Sequence, residues 1–179
     1  DNKKVLDESE KIKSELNEFN PILDDREEYK PGHKFAEWEL KGIPVRIEIG
    51  PKDLKSKEVT MVRRDTGKKE AVSVGKLKKR VFDVLSDMQR EMFKKAQKLL
   101  NDSIKEVKNF DELKKAISDK KIAFAPLCNK RECEDNLKHK TGGAKVLNIP
   151  DKQPISLKSS KCVVCNERAD YFSYIGKSY

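Results

Sequence analysis

Four cysteines, Cys128-x4-Cys133 and Cys162-x2-Cys165, lie in two tight pairs with 28 residues between them, and they are all the cysteine in the 179-residue chain. A zinc ion takes four ligands at tetrahedral corners, and a spacer of two to four residues lets one stretch of backbone supply two of them. Four sulfurs would close the coordination sphere and leave no position for water, which describes a structural site and argues against hydrolytic chemistry. The spacing also admits a redox dithiol at Cys162 and Cys165, or four simple buried thiols. His139 is a competing nitrogen ligand, but Lys138 and Lys140 beside it place it on a polar helix face. A helix is expected just after Cys133 and a strand just after Cys165, making each pair a rigid corner. A small domain with few apolar residues would gain directly from the metal, because binding energy becomes folding energy. The longest apolar stretch, near Ile122–Cys128, is far too short for a signal peptide or a membrane span. The thiols are therefore expected in a reducing, cytoplasmic compartment, where cysteines bind metal more often than they form disulfides.

Everything before the cysteines alternates between helical and strand periods. Val5, Leu6, Ile12, Leu16 and Phe19 recur at a helical spacing over residues 4–19. Pro21-Ile22-Leu23 reads as a short strand and Pro31-Gly32 as a turn. Phe35, Trp38 and Leu40 fit a short helix that stops at Gly42. Val45, Ile47 and Ile49 alternate with Arg46 and Glu48, so the first set should face a core and the second should face outward. Val59–Arg64 and Glu70–Val74 form a hairpin about Asp65-Thr66-Gly67. Leu77, Val81, Leu85, Met88, Met92, Ala96 and Leu99 mark the core face of a long helix. The domain boundary is expected near residues 102–111, and Asn109–Glu112 read as a linker and helix start, with Asp111 as N-cap of a helix through Ile117. Ile122–Ala125 and Asp170–Tyr174 read as strands, and Lys152–Lys161 as a loop. The pattern predicts an α/β fold: a first domain with a small mixed sheet flanked by helices, over residues 1–103, then a small α+β zinc-binding domain over residues 104–179.

Charge adds a partner class. The net charge of +9 favours a polyanion, although 31 acidic residues against 40 basic ones also describe a salt-laced surface. Two histidines and no glycine-rich phosphate loop leave little scope for catalysis by this segment.

The run Asp24-Asp25-Arg26-Glu27-Glu28-Tyr29-Lys30-Pro31-Gly32-His33-Lys34-Phe35, continued by Glu37–Asp53, resembles prolyl-tRNA synthetases of the archaeal/eukaryotic type. So do the hairpin Val62–Lys68, the cysteine spacing and the ending Gly176-Lys177-Ser178-Tyr179. The resemblance implies an anticodon-binding domain followed by a zinc domain of a class II aminoacyl-tRNA synthetase. The complete form would join proline to proline tRNA with ATP and Mg²⁺, as a homodimer, in a catalytic domain that this segment lacks. It implies that Glu39, Arg46, Lys52 and Asp53 read two successive guanines of the proline anticodon, with Phe35 and Lys68 as stacking and backbone contacts. Guanine offers acceptors at O6 and N7 and donors at N1 and N2, which suit arginine or lysine and a carboxylate respectively. The resemblance also sends the carboxylate of Tyr179 toward the catalytic domain. Two departures stand out: His33 occupies a position usually held by tryptophan, and the strand that opens the family fold is expected upstream of Asp1. A free-standing RNA-binding paralogue of the anticodon module, without synthetase activity, is the alternative.

Overall fold

The computed structural model describes residues 2–177, so Tyr179 and the expectation attached to it lie outside the described residues. The chain divides into two compact units, Asp1–Phe93 and Lys94–Tyr179.

In the first unit, α1 (Asn2–Glu15) is followed by α2 (Pro31–Leu40), β1 (Val45–Glu48), α3 (Pro51–Ser56), β2 (Glu58–Arg63), β3 (Lys69–Ser73) and the start of α4 (Val74–Ser103). The strands pair antiparallel in the order β1-β2-β3. The strict alternation along β1 holds in three dimensions: Val45, Ile47 and Ile49 pack against a core of Ile12, Leu16, Val59, Met61, Leu77 and Val81. That core lies between the sheet and the apolar stripes of α1 and α4, while α2 lies over the opposite face, where Phe35, Trp38 and Ile43 border Val62.

Pro31-Gly32 does not make a turn. Pro31 opens α2, where its missing N–H costs nothing and its fixed φ suits the first turn. Pro21–Leu23 forms no strand, because β1 is an edge of the sheet and no described strand lies beside this segment. The apolar stripe of α4 enters the core only as far as Met88. Met92 is 57% exposed and Leu99 is 70% exposed. The six-residue helix α3 has no apolar period, so the sequence pattern gives no sign of it.

In the second unit, β4 (Ile104–Glu106), α5 (Phe110–Ser118), β5 (Ile122–Leu127), α6 (Arg131–Lys140), β6 (Lys145–Asn148) and β7 (Tyr171–Gly176) form a mixed sheet in the order β4-β5-β7-β6. The parallel pair is β4 with β5, and the other two pairings are antiparallel. β4 falls in the segment expected to hold the domain boundary: three residues are too few to show a period, and only pairing reveals them. Asn109, and not Asp111, caps α5, its side chain accepting from the Glu112 N–H at 2.9 Å while Glu112 reaches back to the Lys108 N–H at 2.8 Å. Leu113, Ala116, Leu137, Ala123, Leu127 and Ile175 bury the helices on one sheet face. Phe124 packs with Phe172 and Tyr174 on the other, with ring centroids 5.1 and 4.8 Å apart.

Candidate functional site

Arg46 is the centre of the first constellation. Its outward position on β1 does not leave it free in solvent, because α2 covers that face; its side chain is 19% exposed. Its Nε donates to Glu48 Oε1 at 2.9 Å and its Nη1 to Glu39 Oε1 at 2.6 Å. The guanidinium carbon sits 4.0 Å from the centroid of the Phe35 ring. Glu48 follows from period two on the strand, and its carboxylate also lies 3.7 Å from Lys69 Nζ. Glu39 and Phe35 are one turn apart on α2, so both face the same groove. Three of the predicted readers, Phe35, Glu39 and Arg46, are thus brought into contact. Arg46 Nη2 makes no hydrogen bond among the described residues, which leaves a donor edge for a ligand.

The other predicted readers lie apart from this contact. Lys52 is exposed on α3, and its side chain makes no hydrogen bond or ion pair among the described residues. Asp53 serves its own helix, its Oδ2 accepting from the Gly50 N–H at 2.8 Å. Lys68 sits in the β2–β3 turn, exposed, with its N–H on Thr66 Oγ1 at 3.3 Å. Gly67 holds φ +67° there, a left-handed conformation that a side chain would strain.

A second cluster, missed in the sequence, holds α2 in place. Asp24 accepts from Arg26 Nε at 2.8 Å, from Arg26 Nη2 at 2.7 Å and from Trp38 Nε1 at 2.7 Å. Arg26 also binds Glu37 at 2.8 Å, and its guanidinium lies over the Tyr29 ring. The Arg26 guanidinium holds the Asp24 carboxyl well below the usual carboxylate range; partial burial opposes this and the Trp38 N–H reinforces it. The sequence signal for this hub was only the need of a half-covered indole N–H for an acceptor.

The four cysteine sulfurs lie within 4.8 Å of one another. Cys128 follows β5, and Cys133 lies inside the first turn of α6, which starts at Arg131 and so earlier than expected. Cys162 and Cys165 occupy a turn closed by the Lys161–Arg168 bridge, and β7 begins six residues after Cys165 and not directly behind it. The Val163 N–H donates to the Pro126 carbonyl at 3.0 Å and the Asp170 N–H to the Leu127 carbonyl at 2.8 Å, so backbone joins the two corners. Sγ separations of 3.4 Å for Cys128–Cys133 and 3.7 Å for Cys128–Cys165 approach the edge of about 3.8 Å given by a tetrahedron of 2.3 Å zinc–sulfur bonds. The donor set therefore fits zinc. Burial pushes the Cys133 and Cys128 thiols above their ordinary range. At Cys162 burial acts in the same sense, but the backbone N–H groups of Cys165 and Val164 outweigh it and lower the thiol. A cation is what would let the two raised sulfurs ionise at neutral pH. His139 is exposed on α6, outside this cluster.

Comparison with known proteins divides the chain along the same lines. Residues 1–83 match the family model described as an anticodon binding domain, and residues 110–179 match the one described as prolyl-tRNA synthetase, C-terminal. The cytoplasmic proline–tRNA ligase of Arabidopsis thaliana is 39% identical over 158 residues, covering 86% of this chain and 30% of the relative. The proline–tRNA ligase of Nanoarchaeum equitans is 36% identical over 180 residues, covering all of this chain and 33% of the relative. That of Ignicoccus hospitalis is 34% identical over 179 residues, covering 99% and 37%. The chain thus spans about a third of the length of the curated relatives it matches.

Proposed function

The chain belongs to the prolyl-tRNA synthetase family, of which it carries the anticodon-binding and C-terminal domains, and from that premise we propose that its first unit reads the guanines of the proline anticodon through the groove between α2 and β1. The observation that carries this reading is the contact of Phe35, Glu39 and Arg46 in one place. Arg46 offers N–H donors to guanine O6 and N7, and Glu39 offers carboxylate oxygens to N1–H and the 2-amino group. The Glu39 side chain is half exposed and, among the described residues, its carboxylate is held by Arg46 alone, so a base can exchange for that partner. Single-stranded loop bases suit such a site because their edges can be splayed out. Lys52 and Lys68 supply charge for the RNA backbone, and Asp53 contributes a second carboxylate once its helix cap is shared or released.

The complete protein uses this selection to ligate proline to proline tRNA with ATP and Mg²⁺, as a cytoplasmic homodimer. Zn²⁺ is held by Cys128, Cys133, Cys162 and Cys165 and fixes the two corners of the second unit. Among the described residues no helix is long and apolar enough to cross a membrane. Relatives named as ligases favour this reading over a free-standing RNA-binding paralogue.

The test is binding of the chain to the anticodon stem-loop of proline tRNA, compared with a stem-loop carrying adenine in place of both guanines, at one fixed salt concentration. A loss of about 1–3 kcal/mol per replaced guanine, absent in Arg46→Ala, is expected. Equal binding of both RNAs by the unaltered chain would remove the assignment.

A further inference from the structure

Arg46 has two carboxylate partners of different character. The Glu39 side chain is 50% exposed, and its carboxylate has no other hydrogen-bond or ion-pair partner among the described residues. Glu48 is 24% exposed, lies on the same strand two residues on, and is flanked by Lys69. A carboxylate that is to accept from a base must be the mobile one. When Glu39 turns to the base, the arginine loses its Nη1 anchor, and a long side chain held only by its stacking on Phe35 would rotate in the ring plane. The bond from Nε to Glu48 Oε1 at 2.9 Å removes that rotation. It engages the one N–H on the stem side of the guanidinium, so that Nη1 and Nη2 remain for a base.

We propose that Glu48 is a positioning residue for guanine recognition: it fixes the plane of the Arg46 guanidinium while Glu39 is engaged by RNA. This rests on the reading of Arg46 and Glu39 as guanine readers. Glu48 touches no base itself. Its role depends on reach and acceptor geometry, and its charge is secondary, because Lys69 already offsets that charge.

Two substitutions separate these properties. Glu48→Asp keeps the charge and withdraws the acceptor by one methylene. Glu48→Gln keeps the reach and an acceptor oxygen while losing the charge. The readout is the ratio of affinities of the full chain for stem-loops with guanine and with adenine at the two anticodon positions, with thermal melting as a control for folding. Glu48→Asp is expected to reduce the ratio about fivefold or more, and Glu48→Gln to keep it within about twofold. In an Arg46→Ala background, Glu48→Asp should change the ratio no further. Retention of the full ratio by Glu48→Asp, or an equal loss in Glu48→Gln, would overturn the proposal while leaving the anticodon reading intact. A ratio near one in the unaltered chain would instead sink the anticodon reading itself, and with it this one.

Discussion

Replacing Asp24 by asparagine should destabilise the first unit at neutral pH and do so progressively less in acid. In the folded chain one oxygen of Asp24 serves Arg26 Nη2 and Trp38 Nε1, both at 2.7 Å, and the other serves Arg26 Nε at 2.8 Å. Asparagine has a single acceptor oxygen. Kept toward Trp38 and Arg26 Nη2, it turns its NH₂ toward the Nε–H of Arg26, and one charge-assisted bond is lost outright. Hydrogen bonds to charged groups contribute about 1.5–3 kcal/mol net. Arg26 retains Glu37 at 2.8 Å, which limits the damage, so a loss of about 2 kcal/mol is expected. For a unit of this size that corresponds to a fall in Tm of about 8–16 °C. The pH dependence carries its own sign. The folded-state pKa of Asp24 is depressed below the unfolded value of about 3.9. Its contribution is therefore complete at neutral pH, begins to fall as the unfolded chain takes up protons near pH 4, and is gone below the folded-state pKa. Urea unfolding of both proteins at pH 7 and at several values below pH 4 measures this. A difference under about 0.5 kcal/mol at pH 7, or one that stays constant into acid, would refute the role given to this hub.

The chain should bind one zinc ion, and Cys133→Ser should abolish that by metal analysis; chelation should cost at least about 4 kcal/mol when free zinc had stood 1,000-fold above its Kd. Cobalt bound in place of zinc should show thiolate charge-transfer bands and a tetrahedral visible spectrum, and an octahedral spectrum would contradict the four-sulfur site. Leu113, fully buried between α5 and the sheet, should cost about 2–5 kcal/mol on substitution by alanine, read by denaturant unfolding. Asn109→Ala should cost about 0.5–2 kcal/mol through loss of the α5 cap, whereas Asp111→Ala should cost less.

What the sequence made legible was whatever carried a long period or a fixed spacing. The alternation through Val45–Ile49 placed Arg46 on the correct face, and the helical stripe through Leu77–Met88 placed α4 on the other. The cysteine spacing points to four sulfurs in one place, and their Sγ atoms lie within 4.8 Å of one another. Short elements escaped. β4 is defined only by its parallel pairing with Ile122–Phe124, and α3 only by its turn geometry. Met92 and Leu99 show the opposite failure, since the apolar period continues along α4 past Met88, the last residue of the helix that is buried. The Asp24 hub was hidden because its partners lie 2 and 14 residues away and meet only through the fold of the loop before α2. Glu48 was visible as a neighbour of Arg46, but that it shares the arginine with Glu39 emerged only once α2 lay over β1.

The most direct measurement is an NMR titration of the isotopically labelled chain with the anticodon stem-loop of proline tRNA, following backbone amides and arginine Nε–H signals. The expected result is that Arg46 Nε–H and the amides of Phe35, Glu39 and Glu48 shift in proportion to bound guanine-bearing RNA and scarcely respond to the adenine-bearing one. Shifts confined to other lysine-rich surfaces, with the Arg46 signal unmoved at saturation, would contradict the assignment of the α2–β1 groove as the anticodon reader.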